Sequence, residues 1–260
     1  CNGQKQIDSE TVKVEEQAHL QDDTVSPACK ITIDYSYLAE SDAADSIAQR
    51  INRTIQAHVL GKEYIRMNPE VAVDSFKNTY INNYRKDVNE FYQEDIKNGT
   101  PKDELPTWYN YEYGLTTHFS EGKEGILNFI AETFEYTGGA HPNSWNKWMN
   151  FEKNTGKLLA LKDVFMAGSE KPMSDMLLEK LITEMATRLE DSSITSLEGL
   201  QNAGILNSTN MYVPDNFLLE KEKVSFLYNK YDIAPYAVGV ITLSLPYTRS
   251  EEHTSELQSL

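Results

Sequence analysis

Apolar and polar residues alternate in short runs along most of this chain, and a few longer stretches replace that alternation with a helical period. "CKITIDYSYL", Cys29 to Leu38, alternates and is rich in β-branched and aromatic residues, which predicts a first strand. A helix follows, with Ser41 or Asp42 as its cap, Ala44, Ile47, Ala48, Ile51, Ile55 and Val59 at steps of three and four, and Gly61 as terminator. His58 lies beside that stripe as a flank residue. A longer helix is expected from Pro69 to about Ile96, with Val73, Phe76, Tyr80, Tyr84, Val88 and Phe91 forming a core face that Tyr92 can join.

Strands return after the loop "NGTPKDELP". "WYNYEYGLTTHFSEGKEGILNFIAETFEYTGGAH" predicts a β-hairpin turning at "SEGKEG", with Tyr109, Tyr111, Tyr113, Leu115, Thr117 and Phe119 on one face and His118 on the other. "SWNKWMNFEKNTGKLLAL" adds a strand that places Trp145, Lys147, Met149 and Phe151 together. Residues 170–190 carry Met173, Met176, Leu177, Leu181, Met185 and Leu189 at helical spacing, a packed helix. "NFLLEKEKVSFLYNKYDIAPYAVGVITLSLPYT" then gives two strands, a proline-bent crossover and a third strand. The expected fold class is α+β, in two intimately packed halves, each an antiparallel sheet with helices packed on it.

Composition narrows the function. Forty acidic against twenty-four basic residues give a net charge of -16, which argues against nucleic acid or an anionic lipid surface as partner and suits a cationic one. No apolar run is long enough to span a bilayer, so membrane attachment is expected only through a lipid on Cys1. "CNGQKQIDSETVKVEEQAHLQDDTVSPAC" shows scarcely any apolar periodicity and resembles the mature end of a bacterial lipoprotein. Residues 1–27 are therefore expected to be a flexible tether, and the cell envelope, with the outer membrane foremost, the location. With Cys1 lipidated, Cys29 is a lone thiol; with Cys1 unmodified, a Cys1–Cys29 disulfide is open to it. Residues 249–260 change character abruptly, and "RSEEHTSELQS" reads word for word as a translated sequencing-library adapter, so this tail is set aside as non-native.

Three stretches stand in a familiar order: "YTGGAHPN" at 136–143, "TGKLLALKDVF" at 155–165 and "NFLLEKEKVSFLYNKYDIAPYAVGVITLSLPY" at 216–247. Together they resemble the paired domains of unknown function in the extracellular region of the RsiV anti-sigma factor and the N-terminal region of the PdaC peptidoglycan deacetylase. Envelope lipoproteins of the Bacteroides group are similar. The resemblance places an N-terminal domain at 28–140 and a C-terminal domain at 141–248. From the RsiV side it implies a receptor for lysozyme, a cationic wall-cutting enzyme. On the PdaC side, the chemistry sits in a separate downstream domain, so no catalytic motif is implied for the matched region.

The residues themselves offer two readings of the "TGGAHP" corner. Gly138 and Gly139 suit a turn, with His141 bonding locally and Pro142 stiffening the exit. The same corner is a candidate ligand contact through Tyr136, Gly138, Gly139, His141 and Pro142, shared with Tyr231, Pro235 and Tyr236 of the "YDIAPYA" crossover. A lysozyme-like protein or a peptidoglycan fragment is the expected partner. The alternative is a glycan-directed hydrolase or deacetylase using His141 or His118 with Glu132 or Glu135, and Ser144 nearby. No GxSxG, HExxH, HxH or CxxC spacing occurs, and no metal, cofactor or catalytic residue is assigned.

Overall fold

A computed structural model of the protein describes residues 8–41 and 46–247. Cys1, Asp42, Ala44 and the tail from 249 lie outside the described residues, and with them the expectations for lipidation, for an Asp42 cap and for the adapter-like segment. The described elements run β1 (Ser9–His19), β2 (Ala28–Leu38), α1 (Ile47–Ile55), α2 (Pro69–Lys97), β3 (Tyr111–Glu121), β4 (Ile126–Tyr136) and β5 (Asn143–Glu152). There follow α3 (Leu161–Val164), α4 (Glu170–Arg188), α5 (Leu197–Asn202), β6 (Phe217–Leu219), β7 (Lys223–Tyr228) and β8 (Ile241–Pro246). The class is α+β, with a five-stranded sheet ordered β1-β2-β3-β4-β5 and a three-stranded sheet ordered β6-β7-β8.

Two expectations are corrected. The tether through residue 27 ends early, because Ser9–His19 pairs along its whole length with β2, from Ser9 opposite Leu38 to His19 opposite Ala28. Its alternation is hidden by charge: Val12, Val14, Glu16 and Ala18 face inward, and Lys77 of α2 holds Glu16 at 2.9 Å. Lysine and glutamate on the open positions suit a sheet edge, where they discourage pairing with other chains. The second correction concerns the first sheet, which is mixed and not antiparallel throughout. β2 and β3 run parallel, Cys29 opposite Tyr111 through Asp34 opposite Thr116, because the connection between them crosses over through α1 and α2.

The chain divides into two compact units, residues 1–119 with 130–147 and residues 120–129 with 148–260. This division differs from a boundary at 140/141, since β3, β4 and β5 each contribute to both units. In the first unit the inward side of β2 presents Cys29, Ile31, Ile33, Tyr35 and Tyr37, all buried. α2 starts with Asn68 as cap and Pro69 in its first turn, and turns Val73, Ile81, Tyr84, Val88 and Tyr92 inward. Phe91 is an exception to the expected core stripe: it is 52% exposed and packs edge-on against Trp108. α1 is capped by Ser46, whose Oγ accepts from the Gln49 amide, so the sequence placed the cap too early.

In the second unit α4 buries Met173, Leu177, Leu181 and Met185 at steps of four. Phe217, Leu219, Val224, Phe226, Tyr228, Ile241, Leu243 and Leu245 from the three-stranded sheet belong to the same core. That core is joined by a polar seam. Asn150 of β5 accepts from the Leu219 amide at 2.8 Å and donates to the Phe217 carbonyl at 2.9 Å, while Asn128 of β4 donates to its Oδ1 at 2.8 Å.

Burial in the first unit sets two expectations. Burial pushes the Cys29 thiol up to about 12 and raises the phenols of Tyr35 and Tyr84. The folded chain then keeps protons that the unfolded chain gives up from about pH 8.5 upward. The stability these groups supply is therefore complete below that pH and is lost toward pH 12, and the urea midpoint should fall across this window. Tyr35 also carries a buried hydroxyl with no hydrogen-bond partner among the described residues. Tyr35→Phe removes that orphan without changing the packing, so its unfolding free energy should equal that of the parent or exceed it by up to about 1 kcal/mol.

Candidate functional site

The corner residues lie in the first unit and the crossover residues in the second, and each group makes its own local structure. β4 ends at Tyr136, and the chain reverses through Gly138 and Gly139 at φ 87° and 117°, backbone angles that favour glycine. Gly138 lies on Trp108, so close that an added Cβ would stand 2.6 Å from the Trp108 Cβ. Tyr136 donates its hydroxyl to the Gly139 carbonyl at 3.2 Å, and His141 Nδ1 stands 3.2 Å from the Pro142 carbonyl. The local turn is thus the arrangement seen at these five residues.

The two glutamate candidates separate by face. Tyr80 of α2 donates to Glu135 at 2.9 Å, so Glu135 points toward the helices, and desolvation and this carboxylate together raise the Tyr80 phenol. His118 and Glu132 both lie on the opposite, open face, in line with their exposure and with the 3.7 Å between the Phe134 Cβ and the point where a Cβ on Gly114 would lie. Among the described residues no group of three histidine, cysteine, aspartate or glutamate side chains could hold a metal ion. Cys29 is a free, fully buried thiol, held in its protonated form by burial.

The crossover has a more distinctive geometry. Tyr231 sits at φ 71°, a left-handed conformation that is costly for a bulky aromatic residue, and its side chain is 58% exposed. A turn holds it there: the Asn229 amide donates to Asp232 Oδ2 at 2.7 Å, and the Asp232 amide donates to the Asn229 carbonyl at 3.0 Å. The Tyr231 ring lies against the Tyr236 ring, centroids 5.6 Å apart and planes 36° from parallel. Lys230 Nζ covers the Tyr236 ring at 4.8 Å. The base of the loop is anchored, since Ile233 is buried and its carbonyl accepts from the Leu206 amide at 2.8 Å. Pro235 is itself exposed and rests 3.6 Å from the point where a Cβ on Gly204 would lie.

Comparison with known proteins fits this layout. The family model described as deacetylase PdaC matches residues 24–144, and the model described as a protein of unknown function, DUF3298, matches residues 162–248. The chain is thus similar to a PdaC-type domain in its first part and to DUF3298 in its last. A crystal structure of a DUF3298 family member from Bacteroides fragilis NCTC 9343 is similar, with a TM-score of 0.85 and 29% identity over 98% of this chain and 94% of that one. A DUF3298 family protein from Pseudomonas aeruginosa PAO1 shares the fold, with a TM-score of 0.64 at 15% identity over 98% of this chain and 95% of that one. No curated protein matches the chain. Within the DUF3298 match lie both Tyr231 and Tyr236, while Tyr136 to Pro142 fall within the PdaC-type match.

Sequence reasoning found the tyrosines of the crossover by composition. The left-handed angle at Tyr231 carried no sequence signal, because glycine or asparagine ordinarily marks such positions. Trp108, the seat of the corner, was also missed, since it precedes β3 and looked like the first residue of a strand.

Proposed function

We propose that this protein is a non-catalytic envelope protein that binds a cationic wall-active enzyme of the lysozyme kind, with the Tyr231–Tyr236 pair as its contact platform. One observation carries the reading: an exposed tyrosine is held at a strained backbone angle against a second tyrosine. Strain of this kind persists where surrounding structure enforces it, and rigid tyrosines give contact area at low entropic cost. The charge of -16 supports a cationic partner by speeding encounter at low salt. Lipid attachment through Cys1 would keep the platform at the membrane surface, and a peptidoglycan fragment is the other ligand this reading admits.

Tyr231→Gly separates binding from folding. Glycine accepts φ 71° without strain, which offsets the lost ring contact, so unfolding free energy should stay within about 1 kcal/mol of the parent. Affinity for lysozyme, read by surface plasmon resonance, should fall at least about tenfold. Unchanged affinity would show that the tyrosine serves the turn alone.

A further inference from the structure

A second surface, in the first unit and independent of the crossover, has the opposite charge character. α1 runs on into a single π-helical turn, Gln56–Leu60, of a type often found at functional sites. Gln56 fixes this turn from within, donating to the carbonyls of Tyr64 at 2.8 Å and Met67 at 3.0 Å. The extra residue in the turn directs His58 at β5, where Lys147 Nζ lies 3.1 Å from His58 Nδ1. Lys147 is half-buried, and Trp145, two residues earlier on the same side of the strand, is 37% exposed.

Burial lowers the His58 pKa, and Lys147 and then Lys62 lower it further; burial alone lowers that of Lys147. Glu63, beside Lys62, has its carboxylate folded over Gly61, 2.7 Å from where a Cβ on that glycine would lie. A half-buried lysine and an exposed imidazole thus meet in a chain of net charge -16. An anion placed against the pair would add charge-assisted hydrogen bonds from the ammonium.

We infer that His58 and Lys147 form a binding site for a carboxylate or phosphate group of a small ligand whose ring packs against the indole of Trp145. The lysine ammonium would turn from Nδ1 to the anion, and the imidazole, once protonated, would supply a second donor. A stacked aromatic wall beside cationic donors suits a sugar acid or a sugar phosphate. The sequence had placed His58 only as a flank residue of the helix, because the π turn and Lys147 are invisible to helical spacing.

The test is a nuclear magnetic resonance titration of the full chain, observing the His58 ring and the Trp145 indole. Acetate, inorganic phosphate, glucuronate and glucose 6-phosphate are added at constant ionic strength against chloride. The site predicts saturable shifts at His58 with a raised imidazole pKa, and Trp145 shifts with the two sugar ligands. Whichever sugar ligand binds more tightly identifies the source of the anion. Lys147→Gln should weaken binding at least about tenfold with the amide spectrum otherwise retained, and His58→Gln should also weaken it. Absence of saturable His58 shifts beyond those with chloride, or undiminished binding in Lys147→Gln, would overturn the site. Equal affinity for acetate and glucuronate, with Trp145 silent, would overturn the role of the indole.

Discussion

Replacing Asn150 with alanine is expected to destabilise the protein by about 4 kcal/mol, read from denaturant unfolding of the second unit. The side chain is 1% exposed and serves three partners: the Leu219 amide, the Phe217 carbonyl and the Asn128 amide. Alanine leaves all three without that partner and opens a small void. The amide and carbonyl belong to β6, a strand of only three residues, whose Phe217, Leu218 and Leu219 are all buried. Cooperative loss of β6 would expose Phe217 and Leu219 from the core, so the unfolding transition should also broaden. Asn150→Asp should behave differently with pH. Its carboxylate can accept from Leu219 but meets the Phe217 carbonyl with no proton to give, so this variant should recover stability as the carboxyl protonates in acid.

The second large effect is expected at the corner. Gly138→Ala should cost at least about 2 kcal/mol, since alanine there is strained at φ 87° and its Cβ would overlap the Trp108 Cβ at 2.6 Å. Gly99→Ala is the control, because Gly99 has a similar φ of 73° and, among the described residues, nothing within 4 Å of an added Cβ. It should cost about 1 kcal/mol, and the difference measures the clash with Trp108. Displacement of Trp108 should also disturb its edge-on contact with Phe91, at 5.4 Å, and shift the indole fluorescence. A Gly138→Ala variant as stable as Gly99→Ala would mean that the corner moves freely and that Tyr136, His141 and Pro142 are not held in place by packing.

The parts of the fold legible in sequence are those specified locally. α2 shows its proline start and most of its stripe, and the β3–β4 hairpin shows its alternation and turn, although its strands are shorter at both outer ends than the alternation suggests. β1 was hidden because its inward positions include Glu16, which α2 neutralises through Lys77, a partner far along the chain. The parallel pairing of β2 with β3 is likewise a matter of how α1 and α2 cross over, which alternation does not encode. At the candidate site, composition pointed to Tyr231 and Tyr236 but not to the strained turn that presents one of them. His141 drew attention by its chemistry, yet its ring rests by the Pro142 carbonyl, while the histidine held by a lysine is His58. Periodicity locates a histidine on an element and leaves its cross-chain neighbours undefined.

The central proposal is recognition of a cationic wall enzyme, and calorimetric titration of the full chain with lysozyme at low and moderate salt tests it most directly. The account predicts saturable heat at micromolar concentrations, weakened by added salt because the acidic chain steers the partner, and lost in Tyr231→Gly. Absence of heat at both salt concentrations, or binding that persists unchanged in Tyr231→Gly, would contradict it.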